Sequence, residues 1–182
     1  MSVIVVEFVT LDGVVEDPDG TGGTATGGWA FRHGPEAVAG DKFRLGDRLD
    51  TGVLLLGRTT WELFAKLWPG RSGEFPDRLN AAAKLVASRT LSDVSAWRNS
   101  VLLRGDLVDT VAREERDVIV IGSVGIAQTL ARRGLVDEYR LLVFPSVAGA
   151  GRRLFDGAAP ADLDLVSSTV VGPAVLSTYR MR

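Results

Sequence analysis

Apolar residues run along this chain in short continuous blocks, separated by breaks rich in glycine and hydroxyl side chains. Residues 3–9 (VIVVEFV) are apolar except for Glu7, and residues 53–56 (VLLL) and 118–121 (VIVI) are wholly so. Blocks of this length, rich in β-branched residues, predict strands buried on both faces, as in a parallel sheet. Shorter or more mixed blocks at residues 82–87, 101–103 and 138–144 predict further strands. Residues 161–171 and 174–181 flank Gly172-Pro173 and predict an antiparallel hairpin.

Between the blocks the period changes from continuous to helical. Residues 35–50 carry Val38, Phe43, Leu45 and Leu49 at near-helical spacing, although Gly40 and Gly46 weaken the pattern. Arg58-Thr59-Thr60 opens a helix over residues 61–67 that Pro69-Gly70 stops. Leu107, Val108, Val111 and Ala112 stripe a helix within residues 105–115. Ile126, Leu130 and Arg133 stripe another over residues 126–133, closed by Gly134. Residues 71–80, with Pro76 and mixed charges, read as a loop with about one helical turn. Residues 16–28 (EDPDGTGGTATGG) oppose any regular element. A loop that long is either a mobile surface segment or a lid, and Trp29, Ala30 and Phe31 after it could dock it.

Strands alternate with helices and a hairpin closes the chain. This predicts one α/β domain over residues 1–182, with a mixed, mostly parallel sheet and a C-terminal antiparallel hairpin. Ligands of such sheets sit beyond the strand C-termini. Four segments stand there: 10–13, 57–60, 88–90 and 122–125. If the strands share one edge, the segments converge.

Composition removes several chemistries. The 182 residues contain no cysteine and one histidine, His33. Thiol nucleophiles, disulfides, thiolate metal sites and multi-histidine metal centres are therefore excluded, and no metal site is expected. The net charge is −2, which offers no bulk attraction for nucleic acid. No apolar run approaches membrane-spanning length. Met1 leads into VIVVEFV without a basic n-region or cleavage site, so a soluble cytoplasmic protein is expected.

The strand, glycine turn and helix of residues 118–133 aim backbone N–H groups at one point, where an anion can bind. Gly122-Ser123-Val124-Gly125 is not a G-x-G-x-x-G fingerprint, and no Walker lysine follows it. Taken singly, Gly57-Arg58-Thr59-Thr60 and Ser88-Arg89-Thr90 read as an N-capped helix and a polar strand end. Together, two arginines at strand ends, hydroxyl-rich helix starts and a glycine turn suit a dinucleotide carrying an extra phosphate. No ribose-binding acid stands at the distance expected of an NAD site.

The segments VTLDGVV, LLLGRTTWELFAKLWP, KLVASRTL and VIVIGSVGIAQTLARRGLVDEYRLLVFPSVAGAGRRLF, in this order, resemble the dihydrofolate-reductase-like family. The nearer branch is the reductase domain of the bifunctional riboflavin-biosynthesis deaminase/reductase. The resemblance spans nearly the whole chain, and GLVDEYRL followed by P-x-x-x-G-x-G-x-R-L-F is its most specific part. It implies a dihydrofolate-reductase-like three-layer α/β/α fold, with a mixed sheet of eight strands and NADPH across the strand C-termini. It also implies an NADPH-dependent oxidoreductase, commonly a homodimer.

By the resemblance, Gly57, Arg58, Thr59 and Thr60 form the cofactor helix start. Ser88, Arg89 and Thr90 cradle the adenosine ribose and its 2′-phosphate. Ile121, Gly122, Ser123, Val124 and Gly125 form the pyrophosphate turn. Many relatives have Gly-Gly where this chain has Gly122-Ser123, so Ser123 must adopt φ below zero or accept strain. The deaminase signatures H-x-E and P-C-x-x-C are absent from the sequence. The substrate implied is a ribosylaminopyrimidine phosphate reduced at its ribose carbon. A folate-type or other heterocycle, a flavin or deazaflavin cofactor, and a non-catalytic nucleotide-binding role stay open.

Hydride transfer needs an oriented acceptor and a proton source. Asp12, directly after the first strand, is the first candidate for catalytic and substrate contact, against an Asx turn with Gly13. Asp41, with Glu36, stands where a folate-type reductase places its carboxylate, against a solvated helix face. Trp29 and Trp68 are candidate stacking platforms for the substrate, whereas Phe64 reads as core. His33 reads as a surface residue, and Arg152 and Arg153 as solvated strand-end charges.

Overall fold

A computed structural model describes residues 1–182. The chain runs through β1 (Val3–Thr10), α1 (Arg48–Thr51), β2 (Val53–Gly57), α2 (Arg58–Leu67), α3 (Glu74–Ala81), β3 (Ala83–Ala87) and β4 (Ser100–Leu102). It continues through α4 (Leu107–Ala112), β5 (Val118–Ile121), α5 (Val124–Arg132), β6 (Glu138–Phe144), β7 (Leu163–Val171) and β8 (Ala174–Met181). The eight strands form one sheet in the order β4-β3-β2-β5-β1-β6-β8-β7. Every pairing from β4 to β6 is parallel, and β6-β8 and β8-β7 are antiparallel. The mixed, mostly parallel α/β sheet with a closing hairpin is as expected.

Both faces of the sheet are covered. Ile4, Val6, Leu54, Leu56 and Ile119 meet Trp61 of α2, Leu79 of α3 and Leu49 of α1 on one face. Val3, Val5, Val9, Val53 and Val120 meet Val124, Ile126, Ala127 and Leu130 of α5 and Val111 of α4 on the other. The two apolar sets alternate along β1, which is why its block is nearly continuous. The outer strand β7 leaves Leu165, Val166 and Val170 exposed.

Two expectations fail. No helix spans residues 35–50: only a single 3₁₀ turn at Pro35–Ala37 and the short α1 form there. Positive φ at Gly40, Arg44 and Gly46 breaks the helical path. The Asp41 carboxylate accepts from the Leu45 and Gly46 N–H groups instead, at 2.9 and 2.7 Å, and so competes with helical bonding. Conversely, residues 71–80 hold a true helix, α3. Pro76 lies in its first turn, where the missing N–H would have no partner in any case.

Candidate functional site

Because β3, β2, β5 and β1 are consecutive and parallel, their C-terminal ends share one edge. The four segments singled out from the sequence therefore converge. Helix α2 starts directly from β2 and α5 from the turn after β5. The two starts are joined: Gly57 N–H donates to Ser123 Oγ at 2.9 Å, and Thr60 Oγ1 donates to the Gly122 carbonyl at 3.3 Å. Gly122 carries the positive φ of the turn, +63°, whereas Ser123 sits at −90°. The serine is thus unstrained, and its hydroxyl ties two helix N-termini together.

Neither α2 nor α5 has a side-chain cap, whereas α4 is capped by Asp106, which accepts from Val108 and Asp109. In α5 the Val124 and Ile126 N–H groups already donate to the Gly122 and Ser123 carbonyls, so the Gly125 N–H and the first-turn N–H groups of α2 are the ones left for a ligand at this edge. Gly122 and Gly125 are exposed there, while Ile121, Ser123 and Val124 are buried beneath them. Arg58 is half exposed and makes only a surface pair with Glu62 at 3.1 Å, which costs little to exchange for another anion. Thr59, Arg89 and Thr90 are exposed, and Ser88 Oγ shapes their turn by accepting from the Thr90 and Leu91 N–H groups. The set of exposed donors fits a phosphate-rich dinucleotide.

At the β1 end the loop after β1 is zipped to the loop after β6. Leu11 N–H donates to the Ser146 carbonyl, Val15 N–H donates to the Arg152 carbonyl, and Val14 bridges to Arg153. Asp12 fastens this pair of loops: its carboxylate accepts from Thr10 Oγ1, Ala148 N–H and Gly149 N–H at 2.6 to 3.0 Å. The Thr10 hydroxyl first, then the two amides, hold its pKa down at about 2. Asp12 is therefore a loop clamp, its oxygens engaged by the two loops.

Three other candidates have structural roles of their own. Asp41 fastens a turn, as described above. Trp29 is 1% exposed, set edge-on to Phe144, and donates from Nε1 to the Glu16 carbonyl; it docks the residue 16–28 loop and offers no free face for stacking. Trp68 caps the C-terminal end of α2, ten residues and about 15 Å from the strand-end cleft, with Arg71 over its ring.

Two residues passed over as features of the site lie beside it. Glu7, noted in the sequence only as a break in an apolar run, is 4% exposed, and its Oε1 is buried without a hydrogen-bond partner. Burial pushes its pKa up to about 8, against the pull of Arg152. Arg152, read as a solvated charge, donates to Gln128 Oε1 at 3.1 Å and lies 3.3 Å from where a side chain on Gly125 would begin.

A family model described as the RibD C-terminal domain matches residues 1–177. The chain belongs to this family. Among curated proteins it is 27% identical over 158 residues to "Uncharacterized protein YyaP" of Bacillus subtilis (strain 168), covering 81% of this chain and 76% of that one. Among solved structures, a protein provisionally named for riboflavin biosynthesis from Shewanella sp. PV-4 superposes with a TM-score of 0.76 at 21% identity, over 100% of this chain and 99% of that one. A diaminohydroxyphosphoribosylaminopyrimidine deaminase/5-amino-6-(5-phosphoribosylamino)uracil reductase of Thermotoga maritima superposes with a TM-score of 0.63 at 15% identity. This chain is covered in full and spans 56% of that bifunctional protein. The fold of the RibD reductase half is thereby shared. No helix of the chain is long and apolar enough to cross a membrane.

Proposed function

We propose that this protein is an NADPH-dependent reductase acting on a ribosylaminopyrimidine or a related small heterocycle. The observation that carries this reading is the pair of uncapped helix starts, α2 and α5, tied together by Ser123 at the C-terminal edge of the sheet. In this assignment Gly122, Ser123, Val124 and Gly125, with the first turn of α5, hold the pyrophosphate, and Ile121 supports the turn from beneath. Gly57, Arg58, Thr59 and Thr60 hold the phosphate side facing α2. Ser88, Arg89 and Thr90, at the end of β3, hold the adenosine ribose and its extra phosphate, which an arginine fork recognises and an NADH ribose lacks. The cofactor supplies the hydride. The protein orients it and the acceptor and excludes water. Membership of the RibD C-terminal domain family supports the reductase class.

The substrate named for the Thermotoga protein sets the test: NADPH consumption is followed by absorbance with 5-amino-6-(5-phosphoribosylamino)uracil and, in parallel, with dihydrofolate. Turnover of the ribosylaminopyrimidine is expected. Turnover of dihydrofolate alone would replace the substrate class, and NADPH consumption with neither would overturn the proposed activity.

A further inference from the structure

The strand order fixes where the redox end of an extended dinucleotide lies. With the adenosine end at β3, the α2 start at β2 and the pyrophosphate turn at β5, the next strand in the row is β1. Adjacent strands are about 4.8 Å apart, so a dinucleotide crossing β3, β2 and β5 brings its far end to β1. The last residues of β1 are Glu7, Phe8, Val9 and Thr10. Thr10 is committed to Asp12 and to the Val14 N–H, and Phe8 and Val9 are apolar. Glu7 is the one residue there with a transferable proton and no partner to occupy it.

The surroundings of Glu7 are specific. Its parity along β1 sets it on the face of Val5 and Val9, against Val124, Ile126 and Ala127 at the start of α5. Across β6 its register partner is Leu141, and the neighbouring β5 ends at Ile121. Helix α5 offers Gln128 and no ionisable group before Arg132. The loop after β6 brings Arg152, and the loop after β1 brings the Glu16 carboxylate, which accepts from the Arg152 N–H at 3.4 Å. Arg152 is held over the start of α5 by Gln128 Oε1, and Gln128 Nε2 is anchored on the Arg153 carbonyl at 2.9 Å. One cation, Arg152, therefore acts through its charge, without a direct hydrogen bond, on a buried, unpartnered carboxyl. A buried carboxyl with no partner is costly unless it stays neutral.

We propose that Glu7 is the acid of the reduction: its neutral carboxyl gives a proton to the substrate heteroatom as hydride reaches the adjoining carbon, and Arg152 stabilises the carboxylate left behind. The inference rests on the reductase reading above. The balance is simple. Hydride from a reduced nicotinamide forms a C–H bond at a C=N or C=O carbon, and the π pair moves to nitrogen or oxygen. That atom takes the Glu7 proton, the oxidised nicotinamide departs, and solvent reprotonates Glu7. A neutral acid of this kind is matched to turnover near neutral pH. Glu7 is thus a catalytic residue of this site, and Arg152 is its positioning and charge-balancing partner.

The test has a readout that needs no turnover. In protein carrying 13C-labelled glutamate carboxyls, one resonance absent from Glu7→Gln is expected to titrate near 8, and to titrate higher in Arg152→Gln. Binding of NADPH, followed by tryptophan fluorescence, should be within about two-fold of wild type in Glu7→Gln. With the ribosylaminopyrimidine, kcat should fall about 100-fold or more, and the loss of rate above the Glu7 pKa should vanish from the residual activity. His33→Gln is the control, since His33 lies near this edge through its 2.8 Å contact with Ser146 Oγ. Absence of NADPH binding to wild type would overturn the reductase reading itself. NADPH binding with a Glu7→Gln enzyme turning over within about three-fold of wild type would overturn the proposal alone. So would a Glu7 resonance titrating in the ordinary carboxylate range, or a rate limb that disappears in His33→Gln but persists in Glu7→Gln.

Discussion

Glu7 holds its proton because of where β1 places it. The strand sets the side chain among valines on the face of α5, and only Arg152 opposes the desolvation, leaving the pKa at about 8 against an ordinary 4.5. The sign for stability follows from proton counts. Between these two values the folded chain keeps a proton that the unfolded chain has lost, so the stability that Glu7 contributes is greatest below about 4.5 and is lost as pH rises toward 8. The Glu7 contribution has a slope of at most about 1.4 kcal/mol per pH unit across that window. Urea unfolding at several pH values should show the wild type losing stability relative to Glu7→Gln as pH rises from 5 to 8. Parallel curves for the two proteins would show that the carboxyl is ionised when folded. Glu7 was legible as an anomaly in an apolar run, but its consequence depends on which face it takes and on Arg152, more than a hundred positions away in the chain. For the same reason Asp12 looked free: the Ala148 and Gly149 amides that occupy it come from a distant loop.

At the scale of elements, the strand blocks were legible because a strand buried on both faces must be apolar almost throughout. Residues 35–50 show the opposite situation. Their apolar spacing mimicked a helix, but Phe43 and Leu45 reach the core from an irregular segment and Leu49 from the short α1, while Asp41 bonds the local backbone. Helix α3 was obscured by Pro76 and by its short apolar face, and its end is secured by a buried network. Lys84, 1% exposed, donates from Nζ to the Asn80, Ala82 and Arg98 carbonyls at 3.2, 2.7 and 3.2 Å and lies 4.3 Å from the centre of the Trp97 ring. Burial first, and Arg98 second, lower its pKa to about 8. Lys84→Met keeps the bulk but leaves three carbonyls without this donor. It should cost about 3 kcal/mol, a fall in Tm of roughly 6–12 °C for a domain of this size. A change below about 1 kcal/mol would mean that the carbonyls find other partners.

At the scale of the molecule, the order of the strands determines the site. No local pattern shows that β3, β2, β5 and β1 are neighbours; order is a property of the fold, and it entered through the resemblance of the whole chain rather than through any one motif. Once the order is known, the strand-end segments become one edge. Each had an ordinary structural role taken singly: Arg58 pairs with Glu62, Ser88 shapes a turn, and Ser123 bonds Gly57. Their combination gives two helix starts and two exposed arginines along one edge of the sheet, and the proposed NADPH site consists of that combination.

The most direct measurement of that site is the affinity for NADPH against NADH, read by quenching of tryptophan fluorescence. Trp61, in the first turns of α2, is the reporter on the helix that starts at this edge. NADPH is predicted to bind at least about ten-fold more tightly than NADH, since a charge-assisted contact to the extra phosphate contributes about 1.5–3 kcal/mol. Arg89→Ala should remove most of that preference while leaving NADH binding unchanged. Equal affinities in the wild type, or binding of neither cofactor, would contradict the assignment of this edge as an NADPH site.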